Sequence, residues 1–423
     1  MRKMKDSRVQ WIGSIPSTWD TIRLKFLHDG MNTGEAIGKE FWSTNENDIP
    51  FYTAGMIPIK TSFTDFPEWK FTTNSDMLLA RNGTTYVYVP IEHACYTDHI
   101  IRVQTKSHVN RRFVQYSLQQ AISKAVVDTV SIATWSASLW NEQTIPWPAN
   151  NVQEKIVSYL DRRCATIDAL IANQQQQIEK LKQYKQAVIT EAVTRGLDPN
   201  VQMKDSGVEW IGAVPEHWNI AALKRFVTIK AGITLGGERT ITPDMVERPY
   251  LRVANVQSGG VDLSKVTTLF VTPDEDMKYR LEAGDVLMTE GGDRDKLGRG
   301  CVWKGQIDPC LHQNHVFAVH VHSNLLAPSF LEYVTVSTIG RQYFDVTAIK
   351  TTNLACTNAS KVLAFIMPIP SRAEQDAIIY YLDTKCAQID ALIAVKQQKA
   401  DKLAQYKKSL IYEVVTGKRE ISQ

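Results

Sequence analysis

No stretch of about 18 consecutive apolar residues occurs in the chain, so a membrane-spanning helix is not expected. The beginning, Met1-Arg2-Lys3-Met4-Lys5-Asp6-Ser7, lacks the apolar core of a secretory signal. Only six of the 423 residues are cysteine, and none stands in C-x-x-C spacing. They therefore read as reduced thiols of a cytoplasmic protein rather than as a disulfide framework. No two of the 16 prolines are adjacent, which removes the Asn/Asp-Pro-Pro-aromatic motif of an amino-type DNA methyltransferase. The phosphate-loop pattern G-x-x-x-x-G-K-[ST] is missing too, which argues against an ATP-driven translocase. Charge of one sign is also scarce: 48 basic against 45 acidic residues leave a net +3. So mild an excess permits nucleic-acid binding without demanding it.

What the sequence does contain is a repeat. Met4-Lys5-Asp6-Ser7-Arg8-Val9-Gln10-Trp11-Ile12-Gly13 returns as Met203-Lys204-Asp205-Ser206-Gly207-Val208-Glu209-Trp210-Ile211-Gly212. Extended to Trp19 and Trp218, 10 of 16 positions are identical. A second match pairs 152–196 with 374–418, with 24 of 45 positions identical. The offset is 199 residues in the first match and 222 in the second. Between the matches lie two blocks, roughly 20–145 and 219–367, with little in common. The order is therefore frame, variable block, helix, frame, variable block, helix. Uniform drift after a duplication would not leave the helices half identical and the blocks nearly unrelated. Two blocks performing one job on different targets fit this pattern better.

Residues 152–195 and 374–416 contain neither glycine nor proline, and their apolar residues recur at heptad spacing. In the first segment these are Leu160, Ile167, Leu181 and Val188, with Cys164, Ile171 and Ile178. In the second they are Leu382, Ile389, Leu403 and Leu410, with Cys386 and Ile393. Gln174 and Lys396 interrupt the seam at equivalent points, where polar residues can fix register. About 43 residues of helix span roughly 65 Å. The second block links the end of one helix to the start of the other, so antiparallel packing is expected. The tail Glu413-Val414-Val415-Thr416 is similar to Glu191-Ala192-Val193-Thr194, which runs into the second frame, so the end of the second helix should lie by the first frame. The expected fold is α+β: two globular domains separated by two long helices packed as an antiparallel coiled coil, with pseudo-two-fold symmetry. Such symmetry matches the local two-fold of duplex DNA. A plain dimerisation rod also accounts for the helices, but not for large unlike blocks attached to them.

Both blocks mix strand-like runs, such as Tyr86–Val89, Ile100–Val103 and Val316–Val321, with turn signals and candidate helices at 111–127 and 328–344. A polar, glycine-rich stretch runs from Gly284 to Gly300, matched in block one by Ser75–Thr85. Glycines let backbone approach a partner closely, and Arg or Lys can reach phosphates or guanine edges; a solvated hairpin loop is the alternative. Further polar segments are Ser131–Ser138 and Lys350-Thr351-Thr352-Asn353. Asp293, Asp295 and Lys296 lack the spacing of a nuclease site. Cys301, Cys310, His312 and His315 lack the paired spacing of structural zinc. Gly232-Ile233-Thr234-Leu235-Gly236-Gly237 is too loose for a phosphate loop. No catalytic or metal site is expected.

The frame Trp11-Ile12-Gly13, Ile15-Pro16, Trp19, Leu24 recurs as Trp210-Ile211-Gly212, Val214-Pro215, Trp218, Leu223. Each block ends in a Pro-x-Pro entry, Pro146-Trp147-Pro148 and Pro368-Ile369-Pro370. Gln153-Glu154 or Gln375-Asp376 follows, then Ile-Asp-Ala-Leu-Ile. Over nearly its whole length the chain resembles the specificity subunits of Type I restriction–modification enzymes. Arg248-Pro249-Tyr250-Leu251-Arg252-Val253-Ala254-Asn255-Val256 also resembles that family's recognition domains, with Ile49-Pro50-Phe51-Tyr52-Thr53-Ala54-Gly55 as its block-one counterpart.

The resemblance implies a target-recognition domain over 1–148, a spacer helix over 149–196, a second recognition domain over 197–370, and a second spacer helix with tail over 371–423. Each domain would read one half of a split, asymmetric target in double-stranded DNA, and the helices would set the gap. Two methyltransferase subunits and the restriction–translocation subunits would be partners. They would carry S-adenosylmethionine, ATP and magnesium, leaving this chain without catalysis or cofactor. The candidate DNA contacts are Arg252, Asn255, Arg294, Arg299 and Thr352 in block two, and Lys60, Arg81 and Asn82 in block one. A self-sufficient nuclease or methyltransferase, and a scaffold without DNA contact, are the competing readings.

Overall fold

The computed structural model describes residues 2–82, 86–125, 134–234, 241–257, 259–292, 297–350 and 355–421. It divides into two compact units, Met1–Gln175 with Gln398–Gln423, and Gln176–Gln397.

The two glycine- and proline-free segments form single helices, Asn150–Arg195 and Arg372–Val415. In the second unit, Lys185 Nζ donates to Asp390 at 2.7 and 2.8 Å, and Lys396 Nζ donates to Gln177. Rising numbers on one helix meet falling numbers on the other, so the pairing is antiparallel, as expected. In the first unit, Lys407 Nζ holds Asp168 at 2.6 and 2.7 Å. This is the same ion pair at positions shifted by the repeat offset, with the roles of the two helices exchanged. The heptad positions supply the seam. Leu160, Cys164 and Ile167 pack with Leu410 and Val414 in one unit, and Val188 with Leu382 and Cys386 in the other. Gln174 is buried within its seam, at 6 % exposure.

The entry to each helix is fixed by backbone bonds. Thr144–Trp147 pairs antiparallel with Asp20–Arg23, and Ile366–Ile369 with Asn219–Ala222. The Gln153 amide donates to Pro148 O at 2.9 Å, and Gln375 to Pro370 O at 3.0 Å. As the sequence predicted, the second helix ends on the first frame. Tyr412 Oη and Lys418 Nζ both donate to Ile12 O, at 3.3 and 2.6 Å. Gly417, at φ +69°, lies so close that an added Cβ would stand 2.5 Å from Pro16 and 2.9 Å from Trp19.

The blocks share little sequence but have the same backbone plan. Block one has an antiparallel sheet ordered His28–Thr33, Ile100–Thr105, Asp76–Ala80, Val87–Tyr88. Block two repeats it as Val227–Lys230, Val316–Val321, Val286–Thr289, Gly300–Val302. In each, the third strand is buried throughout. A second sheet contains a short parallel pair in both blocks, Ile49–Tyr52 with Cys95–Tyr96 and Val246–Leu251 with Leu311–His312. Gly34 and Gly232 sit where an added Cβ would stand 1.9 Å from Tyr96 O and 2.3 Å from His312 O, so neither position admits a side chain without backbone movement. The helix predicted over 111–127 is present as Arg111–Ala125. The one predicted over 328–344 is two helices, Pro328–Val336 and Thr338–Thr347. Ser337 is extended between them and its hydroxyl donates to Val334 O at 2.7 Å, a local bond that competes with helix continuation. The first long helix supports the break, with Gln186 donating to Val336 O at 2.7 Å and Thr190 Oγ1 accepting from Thr338 N at 2.9 Å. Each block helix is tied to a long helix by a tyrosine: Tyr116 donates to Asp161 and Tyr333 to Asp383.

Replacing Gly417 by alanine is expected to destabilise the first unit more than Gly13→Ala. Both residues have positive φ, costing an alanine about 1–2 kcal/mol. Only Gly417 adds a clash with frame side chains, worth about 1–3 kcal/mol more as overpacking. Thermal denaturation of the two variants checks the order, and equal shifts would contradict it.

Candidate nucleic-acid interface

Charged side chains inside each block fall into two groups: those consumed by the fold and those left near an edge. Arg102 is consumed. It pairs with the fully buried Asp76 at 2.8 Å, while Thr73 N donates to the same carboxylate at 2.6 Å. Lys70 is consumed as well, donating to Thr33 O and Gly34 O at 2.9 and 3.1 Å. Block two places Asp285 at the equivalent position, accepting from Glu282 N at 2.8 Å.

Beyond the buried strand Asp76–Ala80 the chain reaches Arg81 and Asn82, both half-buried. Arg81 N donates to His99 O at 2.9 Å, and Arg81 O accepts from Trp135 N at 2.7 Å. Block two repeats this pattern. Glu290 N donates to His315 O at 2.9 Å, and Glu290 O accepts from Thr357 N at 2.7 Å. In each block two loop segments thus converge on the end of the central strand. In block two a small ribbon extends this edge, with Gly291–Gly292 pairing to Ala355–Cys356, which pairs to Ile349–Lys350. Arg299 stands half-buried where the chain returns into Gly300–Val302. The convergent loops carry backbone N–H groups, glycines and cationic side chains, a combination suited to phosphate and base edges.

The structure distributes the predicted contact residues unevenly. Arg81, Asn82 and Arg299 lie at these strand-end edges. Arg294 and Thr352 lie outside the described residues. Lys60 lies on the second sheet, and its ammonium group donates to Glu46 O at 2.9 Å and Asp48 O at 3.2 Å. Asn255 is only 4 % exposed. Its amide donates to Asp262 O at 2.8 Å and Lys265 O at 3.1 Å, and its carbonyl accepts from Arg252 N at 2.9 Å. Both amide hydrogens are thus used within its own loop, which it organises. Arg252 is half-buried beside it.

Sequence reasoning missed His99 and Glu290, and weighed His315 only as a metal ligand. The signal was present: a histidine stands immediately before the strand in both blocks, ahead of Ile100 and ahead of Val316. The other members of that metal set serve the core. Cys301 and Cys310 belong to an apolar cluster with Trp303 and Val316. His312 is fully buried, its ring nitrogens 3.2 Å from Tyr279 O and 3.3 Å from Lys230 O.

A family model of the Type I restriction modification DNA specificity domain matches residues 16–180. The chain is 22 % identical over 420 residues to the Type I restriction enzyme EcoBI specificity subunit of Escherichia coli, covering 92 % of this chain and 84 % of that one. Over these residues the chain is similar to the specificity subunits of Type I restriction–modification enzymes. It is 24 % identical over 208 residues to the putative MjaX specificity subunit of Methanocaldococcus jannaschii. That match covers 49 % of this chain and 47 % of the relative, about half the length of each. A chain solved in work on complex assembly and conformational transition of the type I R-M system shares the fold. The TM-score is 0.66 at 14 % identity, covering 95 % of this chain and 98 % of that one.

Burial holds the pKa of His312 below its ordinary value of 6.5, outweighing the two carbonyls that favour the charged ring. The unfolded chain therefore binds a proton that the folded block resists, and stability should fall as pH drops through about 6.5. Thermal unfolding between pH 7.5 and 5.5 should show a steeper loss for the unaltered protein than for His312→Gln. Parallel curves would count against this assignment.

Proposed function

We propose that this chain is the non-catalytic DNA-recognition subunit of a methylating and cleaving complex, in which each block reads one half of a bipartite, asymmetric target. One observation carries this reading: a single backbone plan is built twice on a repeated helix pair, with different side chains at the strand-end edges. In this reading residues 1–148 and 197–370 are the readers, with 149–196 and 371–423 as spacers. The helices, 46 and 44 residues long, set the gap between half-sites. They also dock two methyltransferase subunits. Leu170 and Leu392, and Tyr184 and Tyr406, are exposed apolar side chains at repeat-equivalent positions, as expected of one surface used twice. S-adenosylmethionine, ATP and magnesium belong to the methyltransferase and restriction–translocation subunits. The net charge of +3 leaves affinity to local loops and to those partners rather than to a general electrostatic coat.

Exchanging residues 20–145 for the corresponding block of another family member is the direct test, read by mapping methylated sites in a host that carries the methyltransferase subunits. One half of the methylated motif should change while the other stays as it was. A change in both halves would remove modular reading. In the same assay, adding one heptad to both long helices should alter the gap between half-sites and leave the bases read in each half unchanged. An unaltered gap would take the ruler role away.

A further inference from the structure

At equivalent strand ends both blocks hold an exposed histidine against a polar side chain, and the two partners have opposite chemistry. In block one the Asn82 amide nitrogen lies 3.1 Å from His99 Nδ1. In block two the Glu290 carboxylate lies 2.7 Å from His315 Nδ1. The backbone bonds already described hold the paired segments: Arg81 N to His99 O and Glu290 N to His315 O, both 2.9 Å. The block-one partner lies one residue further along, because Arg81 occupies the position of Glu290. The His315 side chain is 56 % exposed and Glu290 30 %.

We propose that these pairs are base-reading elements in which the partner fixes the hydrogen-bond sense that the imidazole presents. With the Asn82 amide nitrogen facing the ring, the amide donates, His99 Nδ1 accepts, and the ring proton sits on Nε2. His99 then offers a donor. A carboxylate oxygen accepts, so His315 Nδ1 carries a proton, and with that single ring proton, the state this reading requires, Nε2 offers a lone pair. His315 then offers an acceptor. In the major groove a donor selects guanine N7 and O6, adenine N7 or thymine O4, whereas an acceptor selects the amino groups of adenine N6 or cytosine N4. One residue type on one backbone plan thus reads opposite base edges, according to a single neighbouring side chain. In block two the pair stands at the root of the glycine ribbon Gly291–Gly292, where backbone can approach a partner closely.

This inference rests on the DNA-reading role proposed above, and the experiment separates the two. The chain is co-expressed with its methyltransferase subunits, and methylated genomic sites are mapped for the unaltered protein, Asn82→Asp, Glu290→Gln and Glu290→Asp. Asn82→Asp should reverse the sense of His99. One position in the half-site of block one should move to an amino-bearing base by about tenfold, the scale of one good base-edge contact, with the other half-site unchanged. Glu290→Gln admits both senses and should relax one position in the other half-site by a similar factor. Glu290→Asp keeps the acceptor sense and should keep the base. The unaffected half-site in each variant reports that the protein is folded and assembled. A split target retained with unchanged preferences in both Asn82→Asp and Glu290→Gln overturns this inference alone, as does a loss equal for all bases. Absence of any split target for the unaltered protein overturns the DNA-reading role, and this inference with it.

Discussion

Two helices of more than forty residues without glycine or proline must bury an apolar stripe, and everything else in the chain is arranged around that burial. A fully buried leucine contributes about 1.5–3 kcal/mol, and Leu160, Leu382 and Leu410 are each at most 1 % exposed. Exposed ion pairs contribute about 0.2–1 kcal/mol each, so Lys407–Asp168 and Lys185–Asp390 do not hold the seam together. Their value is directional. A parallel arrangement would separate these lysines from these aspartates. Buried Gln174 adds to that selectivity at some cost in apolar contact. Apolar burial supplies the energy, and a few polar groups choose among the ways of obtaining it.

The same division explains how the blocks diverge in sequence while keeping one plan. Their shared features are mostly backbone: Thr97 N to Tyr52 O in one and Gln313 N to Leu251 O in the other, at 3.0 and 2.9 Å. Peptide groups are the same for every residue, so such bonds survive almost any change of side chain. What must be kept is a short list. It includes a residue without Cβ at Gly34 and Gly232, a buried aspartate at Asp76 and Asp285, and an apolar central strand.

This also sets what was readable in advance. The helices, their direction and the docking of the tail on the first frame were legible, because heptad spacing and an internal repeat are long, redundant signals. The common fold of the blocks was largely hidden, being written in hydrogen bonds between peptide groups far apart in sequence. The helix break at Ser337 was hidden as well, since Gln186 and Thr190, roughly 150 residues away, satisfy the backbone that it frees. The duties of single polar side chains were hardest. Asn255 and Arg102 are both polar on paper. One organises its own loop and the other neutralises a buried aspartate, and sequence distance conceals both partners.

Charge is therefore a poor guide to which side chains the fold leaves unspent, and position relative to the buried strand is a better one. A cation inside a block is as readily spent on folding as on a ligand: Lys70 and Arg102 are bound to carbonyls and to Asp76. Side chains just past the end of the central strand are less bound, Arg81 reaching Asp98 O at 3.5 Å. The strand has left the core by then, and the backbone of Arg81 or Glu290 is already paired. A residue there changes what the edge presents without changing what the core requires. Such positions let one fold carry different side chains at the same edge. They arise wherever backbone bonds on one residue finish the structural work before its side chain begins.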